Sequence, residues 1–166
     1  MITFTPQIGM YGTLQTKTWT SYWIQLGTDC KEDHAVMYAG FIGGIEMVLE
    51  AKPSKGVCLS PLSNYDGIPI AWNRHEDLSN GVGERIFAFG LTHLNNGYSY
   101  LAILLNALRI LHVTNDRFMS KRMKKAVNDM CSGFITICYR SEGRMIDDLP
   151  PWLWTPATLT YRTLYQ

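Results

Sequence analysis

Between positions 35 and 51 the chain passes from an unbroken apolar run to strict alternation, with a glycine pair between the two. Residues 35–41 (AVMYAGF) are apolar and β-prone, Gly43-Gly44 supplies a tight turn, and residues 45–51 (IEMVLEA) alternate. This pattern predicts an antiparallel hairpin. In its second arm Ile45, Met47 and Leu49 take one face, while Glu46, Val48 and Glu50 take the other, so both carboxylates share a face. A turn centred on Gly43-Gly44 makes positions near 35 face those near 52. Glu50 then falls within about one pleat of position 34.

Beyond the hairpin the punctuation becomes denser. Pro53, Gly56 and Pro61 bracket a short strand predicted over 57–60. Residues 84–89 (ERIFAF) alternate and predict a further strand. Asn95-Asn96-Gly97 marks a turn, and 98–113 has helical length and an apolar majority. Another helix is predicted from Asp129 through Tyr139, with Asp129 as N-cap and Ser141-Glu142-Gly143 as the stop. Pro150-Pro151 and Pro156 predict a tail of ordered coil packed by Trp152 and Trp154. Strands gather in the first half and helices in the second, which predicts an α+β fold with an antiparallel sheet packed against helices. No repeat or low-complexity linker divides the chain, so 1–166 reads as one domain.

Composition narrows the function classes. The 166 residues are 46% hydrophobic, enough for a sizeable core, and only 17% charged. Fifteen Lys and Arg against fourteen Asp and Glu leave a net charge of +1, which removes bulk electrostatics as a reason to expect nucleic acid. The first residues carry neither a basic nor an apolar region, so no secretory signal is expected. The longest apolar stretch, 100–111, is interrupted by Asn106 and Arg109 and falls short of the ~20 residues that span a bilayer. The expectation is a chain made in the cytosol with no transmembrane segment. Cys30, Cys58, Cys131 and Cys138 lack C-x-x-C spacing, and Cys30-x3-His34 has no matching second pair, so neither metal nor cofactor is expected.

The candidate chemistry centres on Cys131, within Asp129-Met130-Cys131-Ser132-Gly133-Phe134-Ile135. In the first turn of a helix, unpaired N–H groups and the macrodipole stabilise a thiolate. Ser132 and Gly133 leave room for a substrate backbone. Cys131 alone also reads as a buried core cysteine, and Cys138, seven residues on, is the better candidate for packing. A thiol nucleophile needs a base and a group to orient that base. No histidine follows Cys131. His34, at the mouth of the first hairpin strand, is the candidate base. Glu50 is the candidate orienter, with Glu46 as its fallback. His75 lies in a charged loop, His93 precedes the Asn-rich turn, and His112 lies on the 98–113 helix, so all three fit less well.

These residues resemble the NlpC/P60 cysteine peptidases, a branch of the papain-like fold. Cys131-Ser132-Gly133-Phe134-Ile135 is similar to their nucleophile motif, although the usual preceding Asp is displaced to Asp129 by Met130. Asp33-His34-Ala35-Val36-Met37-Tyr38-Ala39-Gly40 resembles their base-bearing strand. Because the histidine comes first, the order is similar to the circularly permuted members. Val48-Leu49-Glu50-Ala51, Gly56-Val57 and Pro61-Leu62 resemble that group's acidic strand and the segment after it. Gly97-Tyr98-Ser99-Tyr100 is similar to its Gly-x-x-Tyr-Asp helix opening without the acidic residue. Thr155-Pro156-Ala157-Thr158-Leu159 resembles a Thr-Pro-x-x-Leu segment. The resemblance runs from about 28 to 160.

The resemblance implies a permuted papain-like core in which Cys131, His34 and Glu50 cleave an amide bond through a thioester. The substrate it implies is a peptidoglycan stem peptide or related peptide. Without a secretory signal, such an enzyme would reach its substrate in a phage virion or by a non-Sec route. The second oxyanion donor beside the Cys131 amide is open between Tyr38 and a residue before His34. Two other readings stand beside this one. A lipid or acyl-ester hydrolase or acyltransferase would use the same Cys-His pair, with the 98–113 helix, Met119, Met123 and Met130 shaping an acyl pocket and the basic run Arg117, Lys121, Arg122, Lys124 and Lys125 meeting anionic lipid. A papain-like domain with a purely structural role in a virion is the other.

Overall fold

The computed structural model describes residues 4–16, 31–53, 55–73, 77–95, 131–144 and 155–165. The predicted 98–113 helix, the basic run, Cys30, His75, His112, the Asp129 cap, Trp152 and Trp154 lie outside them. Among the described residues the strands are β1 (Tyr11–Leu14), β2 (His34–Ile42), β3 (Ile45–Lys52), β4 (Gly56–Pro61) and β5 (Ile70–Trp72). They form one antiparallel sheet in the order β4-β3-β2-β1-β5. A 3-10 turn, Leu62–Tyr65, comes after β4. The helices are α1 (Val82–Leu91), α2 (Cys131–Ser141) and α3 (Pro156–Tyr165). The α+β class expected from the order of patterns is the class observed.

The β2–β3 hairpin forms where the glycine pair predicts it. Gly43 and Gly44 have φ of 59° and 80°, and positive φ at both central residues is the two-residue turn that matches strand twist. The register departs from expectation. Near the turn Ile42 faces Ile45 and Gly40 faces Met47, but a bulge between Tyr38 and Gly40 then shifts the pairing, so that Tyr38 faces Val48 and Val36 faces Glu50. One extra residue on one strand reverses the phase of everything beyond it.

Three further departures have local causes. The predicted 84–89 strand is helix α1, because six alternating residues cannot separate period 2 from period 3.6. Over the longer span Val82, Ile86 and Gly90 are buried at i, i+4 spacing, which is a helical face. The tail beyond Thr155 is helix α3 rather than coil. Pro156 is its first residue, where a missing N–H loses nothing. Thr155 Oγ1 accepts from the Thr158 amide at 3.2 Å and Thr158 Oγ1 from the Thr155 amide at 3.3 Å, a reciprocal cap. Strands β1 and β5 carry no alternation to announce them, and β1 is nevertheless interior to the sheet.

One sheet face packs Tyr11, Ala35, Met37, Leu49, Ala51 and Val57 with Ile86 of α1, Phe134, Ile135, Cys138 and Tyr139 of α2, and Leu159 of α3. The other collects Leu14, Val36 and Val48 under Tyr65. Helix α2 lies on β2 and β3, and α1 lies against α2. The stop of α2 matches expectation: Gly143 has φ of 68°, and the Gly143 and Arg144 amides donate to the carbonyls of Arg140 and Tyr139. The Tyr139 hydroxyl donates to the Gly9 carbonyl at 2.9 Å, tying α2 to the segment ahead of β1.

Candidate active site

His34 is the first residue of β2 and is held there from β1. The Asp33 amide donates to the Leu14 carbonyl at 3.1 Å, and the Asp33 carboxylate accepts from the Thr16 amide at 2.8 Å and the Thr16 hydroxyl at 2.6 Å. Asp33 thus clamps the start of the strand, and His34 pairs with Leu14. The bulge sets the rest. With Val36 facing Glu50, the next residue on the same face of β2 is His34, so imidazole and carboxylate project from one side. Without the bulge the two would lie on opposite faces.

His34 Nε2 lies 2.6 Å from Glu50 Oε2. The Cys131 side chain is the other group that acts on this imidazole, by hydrogen bonding and charge. With Nε2 committed to Glu50, Nδ1 is the nitrogen left to face the sulfur. Cys131 is the first described residue of α2, and His34 is the first residue of β2. Cys131 is 2% exposed and His34 9%. Burial by itself pushes the imidazolium pKa down, but the hydrogen bonds and charges of Cys131 and Glu50 outweigh it and raise His34 above its ordinary 6.5.

Glu50 has no exposed surface. Burial favours its neutral form, yet His34, Lys52 and Ser60 stabilise the carboxylate and bring it below its ordinary 4.5. Lys52 Nζ is 2.7 Å from Oε1 and donates to Ser60 Oγ at 3.2 Å. The Tyr65 hydroxyl donates to Oε2, the oxygen that also meets His34. Tyr65 is raised above its ordinary range, first by its own burial and then by the Glu50 charge. Its ring lies 6.2 Å from the imidazole centroid and 5.5 Å from Lys52 Nζ. Glu50 is therefore the buried centre of a cluster that also holds His34, Lys52, Ser60 and Tyr65.

Of the predicted site residues, Cys131, His34 and Glu50 come together. Glu46 instead accepts from the Tyr38 hydroxyl at 2.7 Å, which occupies the fallback orienter and the Tyr38 oxyanion candidate with each other. His93, just beyond α1, packs on Phe89 and Phe134 at centroid distances of 4.9 and 6.1 Å. Cys138 is wholly buried, and burial pushes its thiol well up. Cys58 is partly exposed and faces Glu50 across β3 and β4. Among the described residues no group of His, Cys, Asp and Glu could hold a metal ion, and no helix is long and apolar enough to cross a membrane. Lys52, Ser60 and Tyr65 are members of the site that the chain's pattern does not single out. Lys52 carries a signal, since it continues the Glu46, Val48, Glu50 face. Tyr65 carries none, because an irregular turn brings it over the sheet.

Compared with models of known protein families and with curated protein sequences, the chain matches none.

Proposed function

We propose that the chain is a cysteine hydrolase that cleaves an amide bond of a peptide through a thioester on Cys131. The observation that carries this reading is the ordered contact from thiol to imidazole to buried carboxylate, Cys131 to His34 to Glu50. It is the nucleophile, base and orienter sequence that thiol catalysis requires. His34 takes the thiol proton at Nδ1, and the sulfur attacks the carbonyl carbon. The imidazolium, held on Glu50, then protonates the leaving amine as the C–N bond breaks. Water, deprotonated by His34, cleaves the thioester, and the thiol recovers its proton.

The resemblance to the permuted NlpC/P60 peptidases supports the same residues and a papain-like core. In both, the base-bearing strand precedes the acidic strand and the thiol-bearing helix comes later. By that resemblance the substrate is a peptidoglycan stem peptide or a related peptide. Alkylation by iodoacetamide with peptide mapping tests the reading. Cys131 should label faster than Cys30, Cys58 and Cys138, His34→Ala should slow its labelling by about 100-fold or more, and Cys131→Ala should abolish muropeptide cleavage. Equal labelling of the four thiols, with no effect of His34→Ala, would sink the proposal.

A further inference from the structure

The Glu50 carboxylate receives more donors than an orienter of histidine needs. His34 and Tyr65 share Oε2, and Lys52 forms an ion pair with Oε1 at 2.7 Å. Lys52 is fixed in turn by Ser60 Oγ at 3.2 Å and by the Tyr65 ring. Elementary electrostatics gives this arrangement two effects. A carboxylate held at both oxygens cannot rotate away from the imidazole. A donor that withdraws charge from Oε2, or a cation on Oε1, also weakens the pull of the carboxylate on the imidazolium proton.

We propose that Tyr65 and Lys52 are positioning residues of the site: they lock the Glu50 carboxylate against His34 and, by sharing its charge, restrain the basicity of the imidazole. The inference rests on the proposed Cys131–His34 chemistry, and it adds two residues to the working set of Cys131, His34 and Glu50. Among the described residues, the charged and titratable groups around His34 and Glu50 are Lys52 from β3, Cys58 from β4, Tyr65 from the 3-10 turn, Cys131 from α2 and the neighbouring Asp33. The β1 partner of His34 is the apolar Leu14. Asp33 is committed to Thr16. Among these groups, Tyr65 donates to Glu50 and Lys52 forms an ion pair with it, each in competition with the imidazole. Too strong a carboxylate would keep the proton on His34 when the leaving amine needs it, so restraint of this kind bears directly on turnover.

The test is the imidazole titration of His34, followed by NMR in full-length protein carrying Cys131→Ala. In that background the result does not depend on whether the thiol is active. Tyr65→Phe removes the hydroxyl alone, and Lys52→Met removes the cation. Each should raise the His34 pKa by about half a pH unit, and Lys52→Arg should restore the parent value. If Tyr65→Phe fails to fold, the Lys52→Met and Lys52→Arg pair decides by the same sign. An unchanged or lowered His34 pKa overturns the inference. Failure of selective Cys131 alkylation in the wild-type protein overturns the proposed function instead, so the two failures are read separately.

Discussion

Replacing Glu50 by Gln changes one atom and removes a charge from a place water cannot reach. Glu50 is wholly buried, with the imidazole of His34 at 2.6 Å and the ammonium of Lys52 at 2.7 Å. Removing one partner of a buried ion pair destabilises by about 3–5 kcal/mol, because the remaining charge stays desolvated. The amide oxygen of Gln keeps one acceptor, and Lys52, with 27% of its side chain exposed, regains some hydration. Both place the loss near the lower end, about 3 kcal/mol, or a fall in Tm of about 6–12 °C for a chain of this length.

The pH dependence separates this origin from simple packing. The folded Glu50 titrates below its ordinary 4.5, so its contribution is present above 4.5 and is lost as pH falls. The folded His34 titrates above its ordinary 6.5, so its contribution is complete below 6.5 and is lost as pH rises through the folded value. The stability gap between wild type and Glu50→Gln should therefore be widest between 4.5 and 6.5 and narrow on both sides. Urea unfolding at about pH 3, 5.5 and 9 measures it. A gap of the same size at all three, or none in the middle, would refute the electrostatic reasoning.

Two further substitutions probe the frame that holds the site. Gly83→Ala in α1 sets a Cβ 2.0 Å from the Ile8 carbonyl oxygen, a backbone atom with little room to move. It should destabilise by about 3 kcal/mol despite the better helix propensity of Ala, and a Tm at or above wild type would show that α1 can lift off the 8–9 segment. Thr155→Ala removes the hydroxyl that accepts from the Thr158 amide and leaves the Thr155 amide donating to Thr158 Oγ1; it should lower stability by about 1 kcal/mol in urea unfolding, with Thr155→Ser close to wild type. No difference between Ala and Ser would mean that the α3 terminus is held by its packing alone.

Legibility of the chain divides along physical lines. The hairpin is legible because its turn is local: two adjacent glycines with positive φ determine it. The stop of α2 at Gly143 is legible for the same reason. Helix α1 is not, because its alternating hexamer fits either period and the deciding residues, Val82 and Gly90, lie outside it. Helix α3 hides behind Pro156, because proline ends a helix from inside but starts one at its first turn. The Thr155-Pro156-Ala157-Thr158 string stands out as a motif, while its physical content, a cap, emerges only from the hydrogen bonds. Strands β1 and β5 escape because short strands need no alternation when packing and pairing satisfy them.

The approach of His34 to Glu50 shows how an expected contact can rest on an incomplete geometry. The unbulged hairpin makes positions near 35 face those near 52, and in that register the two side chains point to opposite sides of the sheet. The bulge after Tyr38 reverses the phase and unites them. Its cause lies far upstream, ahead of β1. The Tyr38 amide donates to the Met10 carbonyl at 2.8 Å, and the Tyr38 carbonyl accepts from the Gly9 amide at 2.9 Å. Gly40 then adopts φ of 76° against the Ile8 side chain. The 8–10 segment thus fixes Tyr38 from the β1 side, and the surplus residue is extruded on the β3 side. The same segment receives the Tyr139 hydroxyl from α2 and abuts Gly83 of α1. The phase of the strand that carries His34 and the docking of the helix that carries Cys131 are consequently set by one stretch of backbone, which makes the relative position of Cys131, His34 and Glu50 a property of the whole packed layer rather than of the hairpin that displays two of them.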